Sequence, residues 1–223
     1  MFLKKTLNLA AFLSAIIAIL LQYGGNTQAF IILKPLTTLF ILIIPITDGN
    51  KQFKNYLIYT VLALLFCLMG DIFLLDDNQF IWGLASFLLA HILFTLSFVS
   101  IGRFKLYLLP LVLLFLFGLS YYIFLFQNLG GLAVPVLVYM VFIVIMSWQG
   151  VSLYIRRKEA AYLLIAIAVL LFMFSDSIIA LNKFKEPFKL SGAIILSTYW
   201  LSIALLANAS TLIKDEKSNT SLV

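Results

Sequence analysis

The sequence predicts an all-α, polytopic membrane protein, and three observations carry that prediction. Of its 223 residues, 64% are hydrophobic and only 11% are charged, with a mean hydropathy of +1.12. A water-soluble domain of this length needs far more polar surface. The apolar residues fall in runs of about twenty, enough for a helix rising 1.5 Å per residue to cross a hydrocarbon core of about 30 Å. These runs also lack the roughly ten-residue alternation of an outer-membrane barrel.

Eight transmembrane helices are predicted, at residues 6–23, 28–46, 54–75, 79–100, 104–126, 132–154, 159–181 and 190–213. The first follows Lys4 and Lys5. A basic start and an apolar run also describe a signal peptide, with a processing site at Thr27-Gln28-Ala29. This run is longer than a typical signal core, so it reads as an uncleaved helix. The second span contains Lys34-Pro35, and the third ends beyond Gly70-Asp71. The Asp76-Asp77-Asn78 turn follows, with acids that read as solvated loop charges, and then a fourth span carrying His91. The fifth stops at Gln127-Asn128-Leu129-Gly130-Gly131. Pro135 marks the sixth, Ser175-Asp176 the seventh and Tyr199-Trp200 the eighth. Residues 1–213 thus read as a single transmembrane domain and 214–223 as a polar C-terminal tail. Pro35 and Pro135, Asp71 and Asp176, and Gly83 and Gly192 recur at similar places, compatible with two parallel four-helix halves.

Loop charge predicts orientation. Lys4, Lys5, Lys51, Lys54, Arg103, Lys105, Arg156, Arg157, Lys158, Lys214 and Lys217 fall on one side, while Lys183, Lys185 and Lys189 fall on the other. The positive-inside rule then places both termini in the cytoplasm. Short loops without an appended domain point to a bacterial inner membrane. The net charge of +6 is explained by this asymmetry rather than by nucleic-acid binding. One cysteine, Cys67, excludes an internal disulfide and a cysteine metal cluster, and a single histidine excludes a three-histidine zinc site. The sequence has no P-loop, dinucleotide-binding glycine turn, nucleophile elbow or H-E-x-x-H motif.

The candidate chemistry lies in the intramembrane polar residues. An ionisable group at the centre of a span costs about 2.5–3.5 kcal/mol on insertion scales, so it normally faces a cavity or a partner. The predicted spans place Asp71 and Asp176 about 7–8 Å, and Lys34 about 9 Å, below the same outer surface. His91 lies near the midplane, on one helical face with Gly83, Phe87 and Phe94, and that face points into the bundle. Each residue also has a structural reading. Either aspartate can simply hold helices together, Lys34 can snorkel to the headgroups, and His91 can serve as an interhelical hydrogen bond. The functional reading joins them: two carboxylates in unequal surroundings divide into an acid and a base. That division suits acid-catalysed cleavage of an ether whose cation is stabilised by oxygen. The residues alone do not say which aspartate is the acid.

Lys34-Pro35-Leu36, Gly70-Asp71, the Gly83…Phe87…His91 series, Ser175-Asp176…Ala180-Leu181-Asn182-Lys183-Phe184 and Tyr199-Trp200 together resemble the YhhN-like family of integral membrane lysoplasmalogenases. The resemblance implies hydrolysis of the vinyl-ether bond of a lysoplasmalogen to a fatty aldehyde and a glycerophospho-ethanolamine or -choline. It implies Asp71 and Asp176 as catalytic carboxylates. The chemistry itself calls for no metal or cofactor, and Lys34, His91, Tyr199 and Asn182 are the residues expected toward the lysophospholipid. The sequence departs from the family pattern at Ile203, where glutamine is common, and at Phe94, where tyrosine is common. A proton-coupled transporter or lipid-translocating protein is the rival class. A carrier needs a polar path from both sides. The charged residues here cluster in one half, and the other half reads as nearly all apolar, which favours a pocket open on one side.

Overall fold

The computed structural model describes residues 2–104 and 106–214. Lys105 and Lys217, which contribute to the charge asymmetry, and the tail beyond Lys214 lie outside the described residues.

The described chain is helical: α1 (Phe2–Tyr23), α2 (Thr27–Asp48), α3 (Lys54–Phe73), α4 (Phe80–Gly102), α5 (Leu108–Leu129), α6 (Ala133–Arg157), α7 (Ala160–Phe184) and α8 (Ser191–Ala209). Seven helical segments are long and apolar enough to cross a membrane, against the eight predicted. The difference is one of division. Leu108–Arg157 is a continuous helical stretch of 50 residues, far longer than one crossing needs. Gly130, at φ +52°, breaks it, and α5 and α6 fold back against each other. A glycine accepts that left-handed backbone without steric penalty. Boundaries elsewhere shift by a few residues. Arg103 leaves the helical region at φ +56°, and the apolar Phe104 and Leu106 stand exposed before α5 begins. Apolar composition predicted helix there, but it does not by itself hold a backbone helical.

Consecutive helices pair as α1–α2, α3–α4, α5–α6 and α7–α8, with α2 also on α3 and α6 also on α7. The halves meet where α4 packs on α6 and α8 packs on α2. These contacts correspond under exchange of the first four helices with the last four, whereas α1 also packs on α8 without a counterpart between α5 and α4. Although consecutive, α4 and α5 make no substantial contact.

Polar contacts tie the helix ends into two faces. Lys4 donates to the Thr211 hydroxyl, the Asn8 and Asn208 amides bond each other at 3.2 and 2.7 Å, and Asn50 Nδ2 donates to the Ile213 carbonyl at 2.8 Å. Arg156 donates to the Gly102 carbonyl at 2.8 Å. At the opposite face, Tyr23 donates to the Lys189 carbonyl at 3.0 Å. The α1 helix is integral to the bundle, with Ser14 and Thr37 sharing a 2.7 Å bond between α1 and α2. Large apolar side chains such as Leu109, Ile123 and Val134 point outward, as lipid contact demands. The half nearer the termini is not wholly apolar. Thr60 and Ser97 share a 2.8 Å bond, and Ser97 also donates to the Tyr56 carbonyl at 3.1 Å.

Candidate active site

Asp71 sits in the last turn of α3, directly after Gly70. A Cβ on Gly70 would lie 2.6 Å from the Phe87 ring, so only glycine lets α4 press its phenylalanine against this turn. The Asp71 side chain is buried at 2% exposure. Its Oδ2 accepts the Thr38 hydroxyl at 2.5 Å and the Tyr199 hydroxyl at 2.9 Å. Trp200 Nε1 in turn donates to Thr38 Oγ1 at 3.2 Å. Lys34 precedes Thr38 by one turn of α2, on the same face, and is buried. It interacts electrostatically with Asp71, but no ion pair within 4.0 Å joins them.

Asp176 lies in the middle of α7, with its side chain 10% exposed. Its Oδ2 accepts the Tyr139 hydroxyl at 2.5 Å. His91 Nε2 lies 3.6 Å from the same oxygen, beyond hydrogen-bond range. The imidazole is fully buried, and neither ring nitrogen has a hydrogen-bond partner. Its edge packs against Tyr139 at 5.0 Å and Phe172 at 4.8 Å between centroids. Gly83, Phe87, Ala90, His91 and Phe94 are all buried, as the inward face of α4 predicted.

The helix ends beyond the two aspartates differ from the predicted spans. The α3 helix ends two residues after Asp71, whereas α7 continues eight residues past Asp176 to Phe184. The hydrophobic run continues through Leu74 and Leu75, but the backbone has already left the helix there to turn toward α4.

A cleft opens where α4 and α5 stand apart, with α6 and α7 as its floor. It encloses about 770 Å³ of atom-free space, part of it continuous with the surroundings. The lining is apolar and aromatic, including Phe87, Phe117, Tyr121, Met140, Ile143, Met173 and Phe184, and Asp176 is its only charged residue. Asp71 does not line it. Phe87 does, and it packs edge-on against Tyr199 at 5.6 Å and Phe172 at 6.2 Å. The candidate residues therefore form two adjacent clusters: Lys34, Asp71 and Tyr199 in one, His91 and Asp176 in the other. Tyr199, Phe172 and His91 join them ring to ring, at 5.6 and 4.8 Å. Cys67 lies within electrostatic reach of both carboxylates. Asn182 joins neither cluster and is absent from the cleft lining; its Oδ1 is shielded and has no hydrogen-bond partner.

Sequence reasoning missed Thr38 and Tyr139, the hydroxyls that hold each carboxylate. The internal echo could have found them, since Thr38 is three residues after Pro35 and Tyr139 four after Pro135. Each donates to the aspartate of the next helix. Each aspartate also meets an aromatic residue from the last helix of the other half, Tyr199 for Asp71 and His91 for Asp176. The departures Ile203 and Phe94 are fully buried and off the cleft lining, so they shape packing rather than the cleft wall.

Residues 29–210 match the model of the YhhN family. The chain is similar to lysoplasmalogenase TMEM86A of Bos taurus, 36% identical over 152 residues, covering 65% of this chain and 62% of that protein. The Homo sapiens protein of the same name is 34% identical over the same shares. The chain thus spans less than two thirds of the length of these relatives. The uncharacterized membrane protein YhhN of Escherichia coli O157:H7 is 27% identical over 203 residues, covering 90% of this chain and 96% of that one. No solved structure matches. With most of its length matched by the family model, and its apolar helices packed into a multi-pass bundle, the chain belongs to the YhhN family.

Proposed function

We propose that this protein hydrolyses the vinyl-ether bond of lysoplasmalogens, releasing a fatty aldehyde and a glycerophospho-ethanolamine or -choline. One observation carries the reading: a single carboxylate, Asp176, lines an apolar cleft in a chain similar to lysoplasmalogenases. An alkenyl chain suits such a lining, and the vinyl ether is the only part of that chain that an acid can activate. Asp176, in its acid form, gives a proton to the outer vinyl carbon. The C=C electron pair takes that proton, and the positive charge is shared between the inner carbon and the ether oxygen. Water adds to the inner carbon and loses a proton to the Asp176 carboxylate, which restores the acid. The hemiacetal then breaks its bond to the glycerol oxygen as its hydroxyl proton passes to that oxygen, leaving aldehyde and alcohol.

In this reading Tyr139 holds the Asp176 carboxyl in place. Asp71, behind Phe87, supplies fixed negative charge that favours the cation in a poorly screened interior. Lys34, Thr38 and Tyr199 keep that carboxylate in position, and His91 borders the proton-transfer site. We place both termini in the cytoplasm of a bacterial inner membrane, following the basic loops. Purified protein in detergent, given a lysoplasmalogen, is expected to release aldehyde stoichiometrically with glycerophospho-base. Absence of aldehyde would end the proposal. A second reading, a proton-coupled or lipid-translocating carrier, draws on the Thr60–Ser97–Tyr56 polar contacts in the half nearer the termini. Uptake of lysolipid into sealed vesicles without aldehyde would establish it in place of hydrolysis.

A further inference from the structure

The cleft has a basic mouth that the hydrolytic reading has not used. Lys183 lies in the last turn of α7 and Lys185 just beyond it, flanking the lining residue Phe184. Lys183 Nζ lies 4.8 Å from the centre of the Phe80 ring, on the α4 wall. Lys185 Nζ lies 4.9 Å from the centre of the Phe124 ring, on α5. Phe80 lines the cleft and packs edge-on against Phe184, also a lining residue, at 6.1 Å. Phe124 neighbours the lining residue Leu125 and lies 6.1 Å from the ring of Tyr121. The Lys183 ammonium thus stands against a lining ring and the Lys185 ammonium against an exposed ring beside the lining residue Leu125, each held by an aromatic face. Among the described residues no carboxylate lies within 4.0 Å of either, although Glu186 adjoins Lys185 in sequence.

From this arrangement we infer that Lys183 and Lys185 form a clamp for the phosphate of a lysophospholipid whose chain occupies the cleft. The inference rests on the hydrolytic reading for its ligand and on distance for its fit. Lys183 follows Asp176 by seven residues, which puts both on one face of α7, about 10.5 Å apart along the axis. In a lysoplasmalogen six bonds separate the reacting inner vinyl carbon from phosphorus, about 7 Å when extended. A charge-assisted hydrogen bond from an ammonium adds about 2.8 Å. A lipid with its vinyl ether at Asp176 therefore presents its phosphate at the lysine pair. The clamp fixes the depth of the lipid, and so places the vinyl carbon rather than a chain methylene against the acid. Lysine also suits the task, because a compact, flexible charge accepts phosphate without demanding one orientation.

The test compares wild type, Lys183→Gln/Lys185→Gln and Lys183→Arg/Lys185→Arg in detergent free of phospholipid. The glutamine pair is expected to raise KM for a lysoplasmalogen at least tenfold, with a smaller change in kcat, and the arginine pair to restore it. A 1-O-alkenylglycerol, which lacks phosphate, is expected to show the same KM in all three. Binding is measured separately with a saturated 1-O-alkyl lysophospholipid, which cannot be hydrolysed, and with the matching 1-O-alkylglycerol. Wild type is expected to prefer the phosphate-bearing lipid at least tenfold, and the glutamine pair to lose that preference. Retained preference in the glutamine pair overturns the clamp, even if hydrolysis proceeds. Lost preference in a protein that releases no aldehyde upholds the clamp and overturns the hydrolase. Competition by millimolar inorganic phosphate without any effect of the lipid chain would assign the lysines to free phosphate and overturn the clamp as drawn.

Discussion

Asp71 and Asp176 occupy corresponding helices and are served by corresponding neighbours, yet their surroundings differ. Asp71 is sealed at 2% exposure and accepts two hydroxyls, one backed by the Trp200 indole. Asp176 is 10% exposed, accepts one hydroxyl, and has His91 at 3.6 Å in the place that Tyr199 fills for Asp71. A tyrosine reaches its carboxylate with a hydrogen bond, whereas this imidazole stops short. At the first site both hydroxyls converge on one oxygen, Oδ2, in a position off the cleft lining. The second lies on the lining of the apolar cleft. In the proposed mechanism this difference separates a fixed charge, Asp71, from the acid, Asp176. The general lesson concerns buried carboxylates: one that faces a cavity is open to chemistry that one packed away from it is not.

That contrast can be broken most directly at the carboxylates. Asp176→Asn is expected to lower the rate of aldehyde release by at least about a thousandfold, near 4 kcal/mol of barrier, with the protein still folded. Equal loss in both aspartate variants would erase the distinction. Asp71→Asn is expected to cost about ten- to a hundredfold in kcat through lost electrostatic stabilisation. It is also expected to lower the melting temperature in detergent, which Asp176→Asn is not. The tyrosines sharpen the comparison further. Tyr199→Phe removes a bond to a sealed carboxylate and is expected to destabilise by about 1.5–3 kcal/mol. Tyr139→Phe is expected to cost less stability, because the cleft lets water replace the hydroxyl, but to lower kcat about tenfold by loosening the acid. Reversed rankings in paired melting and rate measurements would exchange the two roles. The smallest effect is expected from Thr38→Val, about 1–2 kcal/mol of stability, since Tyr199 still serves Asp71. A double-mutant cycle of Thr38→Val with Tyr199→Phe should show coupling, as both act on one oxygen atom.

Much of this architecture could be read before any coordinates. Runs of Leu, Ile, Val and Phe near twenty residues have one low-energy form in lipid, because a helix satisfies every backbone group internally. That constraint is local, so composition reveals it. The same logic flagged Lys34, Asp71, His91 and Asp176, since each is costly in hydrocarbon unless the fold provides for it. The echo of Pro35 and Asp71 in Pro135 and Asp176 was visible for the same reason: it is written in spacing. What spacing could not show was helix termination. The run beyond Asp71 stays apolar past Phe73, yet α3 ends there, while α7 runs on to Phe184.

The amino-acid sequence by itself thus determined the helical, membrane-spanning class and the identity of the polar residues brought inside. Only the tertiary structure decided that Asp176 faces a cleft while Asp71 lies behind Phe87, and that Thr38 and Tyr139 are their donors. The cleft exists because α4 and α5 do not pack together, and the screen exists because Gly70 admits a ring from α4. Both are relations between distant helices. Side-chain period sets the face on which a residue stands, but the neighbour that fills or leaves open the space before it comes from another part of the chain.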